Sequence, residues 1–497
     1  RRTFPKHKRP ILYTFRKPPK AARQRGLFLC VSKKFRTLCG REATHFQDYL
    51  KEEITMRRLF EFNDNFYALA LKGGLLVLAV MIFTLFAANG ARAAGFIVDS
   101  TVDAVDDNPG DGFCDDGSGS CTLRAAVMES NALPGEDEIL LSDDVYILTI
   151  PGTDNFAADG DLDIRDDLII TGVGADETII DAANLTRVFH LIDDDDLAQI
   201  EVEITGLRIQ NSIAGNAGGG IRNVSEILYL EGVSIQDSTA PRGGGIYIGP
   251  DGDASIFNSA IINNSATDDP DQERGGGIYN SGETTIVNTT VSGNTAGDLG
   301  GGIFNDSGFN AVFSTIADNV TESGLAGGIH QAVGSDTQFF GTIIAGNSTG
   351  DCGGVFIESL GYNISTGNCN LTDPTDLPNT DPMIGPLQDN GGTTLTHEIL
   401  EGSPAIDLAD NEFLCLSVVT DQTGTIRPVD GDGNGSEICD TGAFEFVPAA
   451  LVPDGGDGGD GGCSLAKPGT SGTGPLAAYL LVPLFVLIAR IRRKIAL

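Results

Sequence analysis

Tryptophan is absent from these 497 residues, methionine occurs four times and histidine five. Between 94 and 462 there is no lysine either: 63 acidic side chains stand against eight arginines, a difference of −55. A surface of that sign repels nucleic acid and anionic lipid, and it favours metal cations or a saline environment. Polyacidic composition also accompanies disorder, but the abundance of Ile and other β-branched residues here argues for a packed chain. No Cys-x-x-Cys and no group of histidines occurs in this region, which makes zinc or redox chemistry a poor fit. Helical periodicity is almost missing from 138 to 375. Leucine-rich repeats lack their leucine framework, and propeller blades lack their length and Trp-Asp signatures.

What is present is a repeat. Glycine clusters followed by an apolar residue recur as Gly218-Gly-Gly-Ile221, Gly243-Gly-Gly-Ile246, Gly275-Gly-Gly-Ile278 and Gly300-Gly-Gly-Ile303, then as Gly327-Gly-Ile329 and Gly353-Gly-Val355. The steps between those apolar residues are 25, 32, 25, 26 and 26 residues. Such a period describes one supersecondary unit stacked on copies of itself, each burying its apolar face on the next. Between the clusters lie short β-branched runs ending at Asn211, Asp237, Asn264, Asn294, Asn319 and Asn347. Runs of that length, punctuated by Gly, Asn, Asp and Ser, spell strands and turns. Together they predict an all-β, right-handed parallel β-helix of about nine or ten coils, roughly 45 Å long. The recurring Asn and Asp are expected to form a ladder at one corner, each bonding to the coil above or below.

The chain divides by composition. Residues 1–55 hold 15 Lys or Arg against four Asp or Glu; a basic tract of this kind suits nucleic acid, but upstream translated sequence ahead of Met56 is the expectation. Residues 56–93 read as a signal peptide: Arg57, Arg58 and Lys72, the apolar core Leu75–Phe86, and Ala91-Arg-Ala93 before the cleavage point. Next come a capping module (94–137), the coils (138–375), a C-terminal β module (376–447) and a Gly/Asp linker (448–462). Residues 463–497 contain Cys463, a 14-residue apolar stretch, Leu476–Ala489, and the basic tail Arg490–Lys494. That stretch falls short of the roughly 20 residues of a comfortable span.

Six cysteines precede Cys463, and six allow 15 pairings. Sequence proximity suggests Cys114–Cys121, Cys352–Cys369 and Cys415–Cys439 among them, as disulfides of an oxidising compartment, without fixing the connectivity. Thr122 caps a predicted short helix to Asn131, with Leu123, Ala126 and Val127 packing down to close the first open coil.

The segment Cys121-Thr-Leu-Arg-Ala-Ala126 resembles the Cys-Ser-Leu-Arg-Glu-Ala module at the front of many exported bacterial β-helix proteins, with Thr122 and Ala125 departing from it. Asp381-Pro-Met-Ile-Gly-Pro-Leu387, Gly402-Ser-Pro-Ala-Ile-Asp407, Arg427-Pro428 and Cys439-Asp-Thr-Gly-Ala-Phe-Glu445 resemble the terminal domain of choice-of-anchor surface proteins. The end of the chain resembles a three-part bacterial sorting signal. That resemblance implies a membrane protease acting at Cys463, transient membrane anchoring through the C-terminal helix, and display at the cell surface. Across 96–447 the resemblance extends to pectate-lyase-like coils. It implies an exported protein, without a known reaction.

Candidate sites are few. Asp430, Asp432, Asn434 and Ser436 alternate with glycine, as hard oxygen ligands of a calcium loop do. Thr441 stands where an EF-hand has Glu, so Asp440 or Glu437 would complete the set; the alternative is a solvated turn. If the cluster isoleucines face inward, Arg222, Tyr247, Tyr279, Phe304 and His330 point outward as a column. Tyr247, Tyr279, Phe304 and His330 are then a candidate sugar-docking face, against the alternative of rings stacked for stability. His397 and Arg427 are expected to be packing residues. His190 and His330 show no evident partner, and no catalytic constellation is legible. The function expected is adhesive or structural contact with a glycan or matrix; a polysaccharide lyase or glycoside hydrolase on the same fold is the alternative.

Overall fold

The structure, a computed structural model, describes residues 93–448 except 194–198, 268, 270, 271, 323, 356, 368 and 411. The proposed signal peptide and sorting signal, with Cys463, lie outside the described residues. No helix among the described residues is long and apolar enough to cross a membrane.

Three long parallel sheets wind past one another. Face one has ten strands, from Gly95–Ile97 to Glu358–Ser359; face two has ten, from Val145–Ile147 to Leu377–Pro378; face three has eight, from Leu162–Ile164 to Cys352–Gly354. Each face is paired one turn to the next, so the chain is a parallel β-solenoid. Eight strands on face three enclose about seven full circuits. The nine or ten coils expected from sequence thus count incomplete turns at both ends. The ends are incomplete because the flanking segments supply strands to faces one and two but not to face three.

The cluster isoleucines make the core. Ile221, Ile246, Ile278, Ile303 and Ile329 are consecutive register partners on face three, and all are fully buried. Burying each side chain is worth about 1.5–3 kcal/mol relative to exposure. The one long step of 32 residues does not break register; its extra residues lie between Ala266 and Arg274. The first glycine of each cluster turns the corner. Gly243 has φ +62°, and a Cβ there would sit 2.0 Å from the Ile246 carbonyl oxygen. Gly243→Ala is therefore expected to cost at least about 1–3 kcal/mol, seen as a lower urea midpoint, whereas an alanine at exposed Gly215, which meets nothing, is close to neutral.

The amide ladder exists, with a shifted membership. Asn264 Nδ2 donates to Asn294 Oδ1 (3.0 Å), Asn294 to Asn319 (2.9 Å), Asn319 to Asn347 (3.0 Å) and Asn347 to Asp351 (2.9 Å). Asn211 and Asp237 are not in it. They take the left-handed turn position, φ +53° and +51°, that Asn263 and Asp318 take lower down. Their following serines, Ser212 and Ser238, occupy the ladder site and bond at 2.7 Å.

The helix α1 (Leu123–Ala132) starts on Thr122, whose side chain accepts the Ala125 N–H, and it buries Leu123, Ala126 and Val127 against the first turns. Arg124 goes inward too. It meets Asp103 at 2.5 Å and donates to the carbonyls of Ala157 and Gly160, tying the helix to the first coil. The three expected disulfides are formed: Cys114–Cys121, Cys352–Cys369 and Cys415–Cys439.

The C-terminal module folds back along the flank of face two. Its hairpin, Ile384–Gln388 with Thr396–Ile399, brings Ile399 onto Ile343, Ala345 and Ile364 together with Ala405. Polar contacts fix the seat: Thr290 Oγ1 donates to Gln422 Oε1 (2.7 Å), and the Ala443 N–H donates to Thr315 Oγ1 (3.0 Å).

Candidate functional site

Side chains alternate along a strand, so the residue after each buried isoleucine points away from the core. Register then stacks them on face three: Arg222 beside Tyr247, Tyr247 beside Tyr279, Tyr279 beside Phe304 and Phe304 beside His330. The rings are stacked at centroid distances of 5.4, 4.9 and 5.8 Å. The open four-ring docking face is corrected, however. Tyr279 and Phe304 are only 8% and 3% exposed, because arginines from the neighbouring corner lie over them. Arg242 Cζ is 5.4 Å from the Tyr247 ring centre and 5.8 Å from that of Tyr279; Arg274 Cζ is 5.3 Å from that of Phe304. Arg274 is held by Asp298 at 3.3 Å. Only Tyr247 and His330, at the ends of the stack, keep substantial exposure. Burial lowers the His330 pKa, with Asp298 opposing and Arg274 assisting, so its imidazole is neutral near pH 7.

The column runs further than the glycine clusters mark it. Asp163 and His190 are the register partners before Arg222. His190 therefore has partners after all. Its Nδ1 lies 2.8 Å from Asp163 Oδ1, and its Nε2 lies 3.3 Å from Arg222 Nη1. Arginine can only donate, so Nε2 carries the lone pair and Nδ1 the proton. Beside them Arg187 Nη1 meets Asp161 Oδ2 at 2.6 Å, and its other nitrogens reach Asn216 Oδ1 and the carbonyls of Ala217 and Gly218. Burial raises the Asp163 pKa, and the His190 hydrogen bond opposes it. Asp161, Asp163 and His190 offer ligand atoms within 4.8 Å of one another. With Arg187 on Asp161 and Arg222 on His190, they form an internal charge network instead of a cation site. The sequence signal missed was positional: Asp163 and His190 each follow a buried apolar residue, Leu162 and Phe189, as His330 follows Ile329.

The acidic loop also changes membership. Asp430 and Asp432 converge with Asp407, all three within 4.8 Å. Asp407 accepts the backbone N–H groups of Gly431 and Asp432, which clamps the loop onto its own segment. Asn434 Oδ1 accepts the Ser436 N–H, and both residues serve the turn itself. Asp430 Oδ1 is shielded from solvent with no hydrogen-bond partner, as a cation ligand would be. Asp440 points away from this loop. It is fully buried and accepts N–H groups from Asp407 (2.7 Å) and Phe446 (2.5 Å), which removes it from the calcium set. Asp407 lay 23 residues upstream, and no spacing rule links it to the loop.

His397 and Arg427 sit within the module's seat. His397 Nε2 bonds Ser292 Oγ and its Nδ1 bonds the Gly385 carbonyl, both at 2.8 Å. Arg427 donates to the carbonyls of Asp440 (3.0 Å) and Gly442 (2.7 Å), faces Glu445 at 3.5 Å, and lies 4.7 Å over the Phe313 ring.

A cleft of about 490 Å³ opens where face two meets the module, lined among others by Asp318, Thr366, Thr380 and Asp381.

No family model matches the chain, and no curated protein does. Among solved structures, the crystal structure of the pectate lyase Pel9A aligns over 72% of this chain and 98% of that one. Identity is 13% and the TM-score 0.31, so the likeness carries no argument about activity. The solenoid rests on its own strand pairing.

Proposed function

We propose that this is an exported, surface-displayed β-solenoid, right-handed by the general rule for parallel crossovers, whose work is adhesive or structural contact with a glycan or matrix. The observation that favours a non-catalytic, structural role over catalysis is the face-three column. The side chains that a reaction would recruit are engaged with one another: rings on rings beneath arginines, and His190 between Asp163 and Arg222. Three disulfides and a lysine-free acidic surface fit an oxidising, extracellular setting. A sorting protease acting at Cys463 would release the chain from a transient membrane anchor to its final attachment. Calcium, if bound, would be held by Asp407, Asp430 and Asp432, where a hard divalent ion suits carboxylate oxygens and would brace the loop. The second reading, a carbohydrate-active enzyme, draws on the Asp163–His190 pair.

The test is a panel of polysaccharides offered to residues 94–447, with calcium and with a chelator, scored for retention and for depolymerised product. Retention on one glycan without product is expected, and chelation is expected to lower thermal stability. Product release would replace the adhesive reading with the enzymatic one, and neither retention nor product on any polysaccharide would leave only a structural role.

A further inference from the structure

Asp137 is a fully buried carboxylate in want of a cation. It opens the second strand of face one, Asp137–Leu140, against which the first strand, Gly95–Ile97, is paired. Its Oδ1 accepts the backbone N–H of Ala94 at 2.7 Å. Its Oδ2 is shielded from solvent and has no hydrogen-bond partner. No ion pair reaches Asp137 among the described residues. Burial raises its pKa, the Ala94 N–H opposes, and the nearby acids Asp166 and Glu129 add to the rise. A carboxylate so placed is costly unless a positive charge joins it.

The one donor it has comes from a particular residue. Ala94 directly follows Ala91-Arg-Ala93, the small-x-small sequence that ends the expected signal peptide. Ala93 is exposed and Ala94 half-buried, so the bond between them lies where the chain enters the fold. In the uncut chain the Ala94 nitrogen is a planar amide with one hydrogen and no charge. Hydrolysis breaks the Ala93–Ala94 bond: water gives its hydroxyl to the Ala93 carbonyl carbon and a hydrogen to the Ala94 nitrogen. That amine then takes a proton from solvent, because an α-amino group titrates near 8. The product is an ammonium with three donors, free to rotate about its bond to Cα. One hydrogen serves Oδ1, as the amide does now, and Oδ2 gains a donor. The nitrogen stays in place because the Ala94 carbonyl accepts the Glu138 N–H at 2.9 Å and Gly95 is in register with Glu138.

We propose that removal of the leader at Ala93–Ala94 creates the cation that Asp137 lacks, and that the Ala94 α-ammonium and the Asp137 carboxylate form a buried ion pair locking the first strand onto the solenoid. This rests on the reading of the chain as exported. The lock closes only after a membrane peptidase has cut, so the precursor folds less firmly than the processed chain.

The absence of lysine between 94 and 462 makes the test selective, since the Ala94 α-amine is then the sole primary amine of that region. The full chain is exported from a bacterial host, recovered, and its first residue read by N-terminal sequencing; Ala94 is expected. The α-amine is then acetylated with acetic anhydride, folded and in urea, and followed by peptide mass. Pairing with a carboxylate holds an amine protonated, so acetylation of the folded chain is expected to be at least about tenfold slower than in urea. Asp137→Asn is expected to remove most of that protection, while Glu138→Gln, the exposed neighbour, leaves it unchanged. Acetylating in urea and refolding restores an uncharged amide at Ala94, and this chain is expected to unfold at a lower urea midpoint than the free amine. An exported chain that begins elsewhere overturns the lock while export stands. A chain that keeps its leader and stays inside the cell overturns both. Protection that persists in Asp137→Asn, or equal midpoints with and without the acetyl group, overturns the ion pair. Should Asp137→Asn fail to fold, the comparison of acetylated and free chains decides.

Discussion

Asn294→Ala is expected to lower unfolding free energy by about 2–6 kcal/mol, the sum of two orphaned buried N–H donors at about 1–3 kcal/mol each. Asn294 Oδ1 accepts both the backbone N–H (2.9 Å) and the side-chain amide (3.0 Å) of Asn264, and its own Nδ2 satisfies the Ile261 carbonyl at 2.8 Å. Alanine leaves the Asn264 backbone N–H and one proton of its side-chain amide without an acceptor in a site closed to water, while the other amide proton still goes to the Ile235 carbonyl at 2.9 Å. Because each coil rests mainly on its neighbours, the loss is local before it is global. Hydrogen exchange should therefore quicken first at Ile261 and Asn264, and the urea midpoint of the whole should fall with it. The contrasting variant is Asn211→Ala. Asn211 occupies the same place in the sequence motif but is partly exposed, in the left-handed turn position. Among the described residues its amide reaches only Asp181, so about 1 kcal/mol or less is expected. Equal losses at the two sites would show that the ladder is not what binds coil to coil.

The second large effect concerns the seat of the C-terminal module. Asp440 and Glu445 are both buried beside Arg427. Desolvation, reinforced by Glu445, pushes Asp440 up to about 8. Desolvation also pushes Glu445 up to about 7, with Arg427 and the Asp440 and Val429 N–H groups opposing. Unfolded carboxylates titrate near 4. The folded state therefore holds protons that the unfolded state releases, and stability declines as pH rises between those limits. The pair's contribution is fully present below about pH 4 and is lost as pH passes through about 7 to 8. Exchange of backbone amides in Thr315–Ala317 and Ile343–Ala345, beneath the module, should accelerate from pH 6 to pH 9 beyond the intrinsic base catalysis. Arg427→Met removes the only guanidinium facing Glu445 among the described residues. A loss of about 3–5 kcal/mol is expected at pH 8, where a carboxylate is left buried and unpaired. At pH 5 the loss is smaller, because protonation removes that charge. A pH-independent loss in Arg427→Met would show that its hydrogen bonds to carbonyls and its contact with Phe313, and not the acid pair, hold the module.

Much of the fold was legible before any coordinates. A period near 25 residues, with Gly-Gly-Ile at each corner, leaves little choice beyond stacked coils, because isoleucines at one register point must share one interior. The outward column followed from strand alternation alone, and local disulfides followed from spacing. Membership in sites was less legible. Asn211 and Asn264 end similar sequence runs, yet a one-residue offset at the turn put a serine, not Asn211, on the ladder. The acids Asp430 and Asp440 belong to one motif, yet backbone direction sends one to the loop and the other into the core.

The sequence by itself determined the solenoid, its inward isoleucines and its stacked rings, since each depends on periodicity, a property local to the chain. Only the tertiary structure decided what covers those rings, which carboxylates meet and where the terminal module lies. Those outcomes join residues far apart in the chain, as Ser292 with His397 and Asp407 with Asp432. The physical reason is that burial and pairing are set by neighbours across turns, where short-range propensity carries no information.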